Sequence, residues 1–209
     1  MAGGFHALFH CALVLYFLLL VVPDACLAAK TTTLQQKCEK YAAGSRNNYD
    51  FCMKTMQADR ASATADARGL AAIAARIARA MARATDDKIL AALRDPATSP
   101  PRWRCLPACD TEYAVAARRL GLAATAAAVA GGGGARELRV ALEFLSKAYG
   151  APATCDAEFA NAGQQGSPVS AADRRLDDVI RMAISFLPAV AAEGGVIDAR
   201  ARYVELRIE

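Results

Sequence analysis

Residues 62–94 read SATADARGLAAIAARIARAMARATDDKILAALR. Leu70, Ile73, Ala74, Ile77 and Met81 recur at spacings of three and four, the repeat of one buried helix face. Arg68, Arg76, Arg79 and Arg83 fall on the other side. An arginine stripe of this kind reads first as a solvated face. Its second reading is an attachment surface for an acidic partner, which salt would weaken. Thr85-Asp86-Asp87 predicts a kink, after which Ile89, Leu90 and Leu93 continue the apolar face.

Working outward, residues 31–43 read as a helix, NNYD (47–50) as a turn, and residues 51–57 as a second short helix. The two arms of this hairpin carry Cys38 and Cys52. Residues 95–107 hold four prolines and no period, and read as a loop. Proline is tolerated in the first turn of a helix, so the next helix is expected to start at Pro107, with Cys105 in the preceding loop. That helix, 108–130, stops at the glycines 131–134. Residues 135–149 form another amphipathic helix, interrupted by Gly150 and Pro152 before a short one over 153–160. NAGQQGSP (161–168) is a turn, and residues 169–187 form the last helix, which Pro188 discourages from continuing.

Four long amphipathic segments with short links read as an all-α fold: an up-down-up-down four-helix bundle preceded by the hairpin. Alanine supplies about one residue in four. It is the best helix former and a poor strand former, which argues against a sandwich or barrel. The tail, 189–209, has no readable role.

The first residues carry an address. CALVLYFLLLVV (11–22) is an apolar run too short for a membrane span, which needs roughly 18 residues or more. Pro23, Asp24 and the small residues CLAAK follow, the shape of a secretory signal peptide over residues 1–29. The mature domain is then expected over 30–188, outside the cell in the apoplast, with the vacuole as the alternative compartment. No membrane association is expected after cleavage.

Signal removal leaves 25 Lys+Arg and takes Asp+Glu from 21 to 20, a net charge of +5. This mild excess lacks the clustering of a nucleic-acid binder, and no nucleic-acid partner is expected. His6 and His10 both leave with the signal. A mature chain without histidine has no Ser-His-Asp or Cys-His mechanism and no His-ligated metal site. No cofactor, metal or catalytic residue is expected, and the chain reads as a non-enzyme. Glu112, Asp177 and Asp178, the carboxylates weighed for hydrolysis, sit among exposed-face charges.

Five cysteines remain: Cys38, Cys52, Cys105, Cys109 and Cys155. In an oxidising compartment they form disulfides, with one thiol left over, and spacing alone does not fix the pairing. Within the helix 108–130, Tyr113, Ala116, Ala117, Leu120, Ala124 and Ala127 cluster on one side at 100° per residue. Val115, Leu122 and Val129 fall opposite, flanked by Thr111, Arg118 and Thr125. Such a helix either packs between two layers or shows one stripe to a partner.

Several motifs resemble one family. QKCEKYAAGSRNNYDFCMKTM (36–56) is similar to a disulfide hairpin closed by a Tyr-x-x-Cys. DARGL (66–70) followed by AAIA resembles the start of a first bundle helix. ACDTEYAVAARRL (108–120) resembles a Cys-x-x-x-Tyr-x-x-Ala-x-x-x-Leu helix, with Cys109 and Tyr113 in register. TCDAEF (154–159) resembles a Thr-Cys-Glu-x-x-Phe signature at Cys155 and Phe159. Together these resemble the plant invertase and pectin methylesterase inhibitors over roughly residues 34–188.

The resemblance implies bridges Cys38–Cys52 and Cys109–Cys155, with Cys105 as the free thiol. It implies a secreted inhibitor that binds non-covalently, in a 1:1 complex, and blocks the cleft of a cell-wall carbohydrate-active enzyme. Invertase inhibitors often carry Pro-Lys-Phe before the last cysteine, and RVALEFLSKAY (139–149) has none. The expected target is therefore pectin methylesterase, with acid invertase as the alternative. A more distant alternative is a helical carrier of an apolar ligand, although the familiar plant carriers have more cysteines. The expected contact residues are Val115, Arg118, Leu122 and Val129.

Overall fold

A computed structural model describes residues 31–129, 134–192 and 195–197. The expected signal segment, 1–29, and residues 198–209 of the tail lie outside the described residues. The first helix, α1, is Thr33–Ala42. Thr32 and Gln35 close a capping box at its start: the Gln35 N–H donates to Thr32 Oγ1, and the Thr32 N–H donates to Gln35 Oε1. The chain reverses through Ala43 and Gly44, at φ 48° and 88°, and Ser45 caps α2, Arg46–Gln57. The expected turn over 47–50 is thus helical. The reversal sits three residues earlier, where Gly44 adopts a left-handed conformation at no steric cost. A Cys38–Cys52 disulfide, with Cα atoms 5.6 Å apart, joins the two arms.

A 3-10 turn, Arg60–Ala63, leads to α3, Ala67–Arg94, where the Asp66 carboxylate accepts from the Gly69 N–H at 2.8 Å. The kink expected at Thr85–Asp87 is absent: α3 runs unbroken. Thr85 is buried and Asp86 half-buried, so these polar residues face a neighbouring helix rather than breaking their own. Leu70, Ile73 and Ala74 are buried, but the stripe then drifts to Ala78, Ala82, Thr85 and Ile89. Ile77 and Met81 pack at its margin.

The second correction is larger. Helix α4 is Pro100–Ala128, beginning seven residues before the expected start. Pro100 and Pro101 occupy its first positions, where backbone N–H groups have no intrahelical acceptor and proline costs little. Pro107 therefore lies inside the helix, at a cost of about 3 kcal/mol. Burial of Cys105, Leu106 and Cys109 around it offsets that cost. Cys105 is helical and buried, not in a loop, with its thiol 3.4 Å from the Pro101 carbonyl and 3.6 Å from that of Glu158.

Helices α5, Gly134–Tyr149, and α6, Ala151–Asn161, are separated at Gly150 and both lie along α4. A Cys109–Cys155 disulfide ties α4 to α6. After turns through Gly163 and Gly166, both at φ 66°, α7 runs Ser170–Phe186 and packs on α3, α5 and α6. The bundle is α3, α4, the α5–α6 pair and α7, around Leu70, Tyr113, Leu120, Phe159, Ile180 and Phe186. The α1–α2 hairpin docks on α7: Lys37 Nζ donates to the Phe186 carbonyl at 2.9 Å, and the Tyr41 hydroxyl to that of Asp178 at 3.3 Å. Beyond the bundle, Val190–Ala192 and Gly195–Ile197 pair antiparallel, Val190 opposite Ile197, a short strand pair in the tail that had no readable role.

Candidate protein-interaction face

Helix α4 is 29 residues long, and its two sides have different fates. Tyr113, Ala116, Ala117, Leu120, Ala124 and Ala127 are all buried. At 100° per residue this puts Thr111, Val115, Arg118, Leu122 and Val129 on the far side. There Leu122 is 47% exposed, Val129 is 41% exposed, Arg118 is exposed and Val115 is half-buried. Among the described residues no second layer covers Leu122 and Val129. Along α4 they stand among polar neighbours, with Thr111 and Thr125 also exposed. The exposed apolar strip is narrow, Leu122 and Val129 standing seven residues apart.

Both edges of the face are basic. On the α3 side the Arg79 guanidinium lies against Gly121: a Cβ added there would stand 3.2 Å from it. Further along the same seam, Arg68 Nε donates to the Ala127 carbonyl at 3.3 Å. Arg76 and Arg83 are exposed, and Arg76 reaches Asp59 at 3.7 Å. On the α5 side Arg119 donates to the Lys147 carbonyl at 2.9 Å, and Lys147 pairs with Glu143 at 2.6 Å. The four arginines of α3 are therefore not one solvated stripe. Arg68 and Arg79 are half-buried in the α3–α4 seam, because alanine and glycine on α4 leave room for long side chains to lie across the helix.

The same seam holds a carboxyl pair. Asp86 of α3 faces Asp110 of α4, and its Oδ1 is buried with no hydrogen-bond donor among the described residues. Burial, reinforced by the Asp110 charge and then by Asp87, pushes the Asp86 carboxyl from its ordinary 3.8 up to about 6. The two carboxyls can share a hydrogen bond only when one of them holds a proton. Sequence reading placed Asp86 at a kink and did not connect it to Asp110. Gly121, the single glycine within α4, was the available sign that another chain segment approaches closely there.

Among the described residues no three metal-binding side chains cluster, and no helix is long and apolar enough to cross a membrane. Asp178 is paired with Arg181 on its own helix. What the face does offer is shape: an apolar strip between basic edges, on helices held by a disulfide. Rigid placement lowers the entropy lost on docking.

The model of the plant invertase/pectin methylesterase inhibitor family matches residues 32–186, which spans the hairpin and the whole bundle. No curated protein matches the chain.

Proposed function

Because the chain belongs to the plant invertase/pectin methylesterase inhibitor family, we propose that it inhibits pectin methylesterase by laying the exposed face of α4 over the enzyme's active-site cleft. The observation that carries this reading is the exposure of Leu122 and Val129 on a helix whose other side is fully packed. Residues that hold the bundle together would be covered. These two are left to solvent beside Arg118 and the basic rim of Arg76 and Arg83. The partner should bring an apolar contact at the centre and acidic groups at the margin. The chain acts as a folded plug and supplies no catalytic group.

In this reading residues 1–29 direct export and are removed, and the mature inhibitor meets its target one to one in the cell wall. Disulfides form and persist in that compartment, which the paired sulfurs of Cys38–Cys52 and Cys109–Cys155 suit, and the one free thiol among the described residues, Cys105, is buried. The test is to assay a pectin methylesterase and an acid invertase, each with and without the purified protein. The expected result is loss of methylesterase activity, and Leu122→Asp should relieve it while leaving the helical circular-dichroism spectrum intact. Inhibition of invertase alone would reassign the target. Undiminished inhibition by a folded Leu122→Asp would remove α4 from the interface.

A further inference from the structure

Helix α4 has a second feature about 40 Å from Val129, at 1.5 Å per helical residue. There the α3–α4 connection and Pro168 of the α6–α7 connection line a half-open cavity of about 240 Å³. Typical sites for drug-sized ligands begin at about 300 Å³, so this one suits a compact molecule. Leu106, buried, and Ala92 and Pro168 give it an apolar wall. Asp95, Ser99 and Arg102 give it polar groups.

Asp95 and Ser99 are exposed at its rim, and Arg102 is half-buried. The Arg102 guanidinium lies over the buried Phe159 ring, 5.5 Å from its centroid. Among the described residues it makes no ion pair or hydrogen bond. An arginine fixed by stacking, with its N–H edge unpaired, is a preorganised fork for a carboxylate. Asp95 Oδ1 accepts from the Ala97 N–H at 2.9 Å, which fixes the carboxylate and leaves its second oxygen as an acceptor. The Ser99 hydroxyl makes no cap bond to α4. Pro100 and Pro101 also remove two N–H groups from the start of that helix, so anion recognition there falls to the guanidinium.

We propose that this cavity binds a small hydroxylated carboxylate of the sugar-acid class. The ligand carboxylate pairs with Arg102. Its hydroxyls donate to Asp95 and exchange hydrogen bonds with Ser99. Its C–H face rests on Ala92 and Pro168. The pairing is selective in both directions. A neutral sugar leaves the Arg102 fork empty, and a simple anion without hydroxyls meets the Asp95 charge with nothing to offer it. The proposal stands apart from the inhibitor reading, since none of these residues lies on the exposed strip of α4.

The only tryptophan in the chain reports on the site. Trp103 follows Arg102, and its indole N–H donates to the Leu93 carbonyl beside the cavity wall. The experiment titrates the folded protein with sodium D-galacturonate, D-galactose and sodium acetate at fixed ionic strength. Trp103 fluorescence and calorimetry are both followed. Galacturonate should saturate in the low-millimolar range, and galactose and acetate should each bind at least about tenfold more weakly, the worth of one charge-assisted contact. Arg102→Gln should lose at least about tenfold, and Ser99→Ala about threefold. Failure to saturate by about 20 mM, or an equal response to galactose or acetate, overturns the proposal using the native chain alone. So does an unchanged titration of a folded Arg102→Gln or Ser99→Ala.

Discussion

Replacing Asp86 with Asn should stabilise the protein at neutral pH and leave it unchanged in acid. Asp86 and Asp110 approach from α3 and α4, and the Asp86 carboxyl is raised from 3.8 to about 6 by burial and by the Asp110 and Asp87 charges. The folded state thus holds the Asp86 proton more tightly than the unfolded chain does. The associated stability is fully present below pH 3.8 and is lost as pH rises through about 6. For a fully desolvated group, a displacement of this size would correspond to about 3 kcal/mol. Asp86 is only half-buried, and solvent screening reduces the expected effect to about 1 kcal/mol. Asparagine removes the charge and brings an N–H donor to Asp110. At pH 7 the variant should melt about 2–4 °C above the native chain, the shift expected for that energy in a chain of this size. At pH 3.5 the two should melt together. The assay is thermal unfolding by circular dichroism at half-unit pH steps. A constant difference across the range, or a less stable variant at pH 7, would refute the argument, because either result means the Asp86 charge is not opposed by its surroundings.

Three further outcomes follow from the packing and charge. The Cys38→Ser/Cys52→Ser double variant should lose about 3 kcal/mol, the chain-entropy value for a loop of this length, read as a lower urea midpoint. Gly121→Ala should gain about 0.5 kcal/mol. The helix-propensity gain of about 1 kcal/mol exceeds the cost of moving the Arg79 guanidinium by a few tenths of an ångström, and a fall in melting temperature would show that Arg79 cannot yield. Association with an acidic-rimmed target should slow severalfold between about 0.02 and 0.3 M salt if Arg76, Arg83 and Arg118 steer the encounter, and stopped-flow mixing with salt-independent rates would remove them from that role.

The sequence alone decided the class of fold. The apolar repeat through residues 62–94 and the glycines at 131–134 and at Gly150 are local signals, acting within a turn or two of chain. They delivered the bundle and its hairpin. Helical periodicity also places Leu122 opposite Tyr113 whatever surrounds them, but it left open whether another layer covers that side. Three things were decided only by tertiary structure. Pro107 is helical because neighbours bury the residues around it, a gain that no local propensity contains. Arg68 and Arg79 leave solvent because small residues on another helix make room for them. Asp86 does not kink its helix but meets Asp110, 24 positions away along the chain. In each case the governing energy is set between segments distant in sequence, through packing, desolvation or charge, and a local pattern carries no record of which segments will meet.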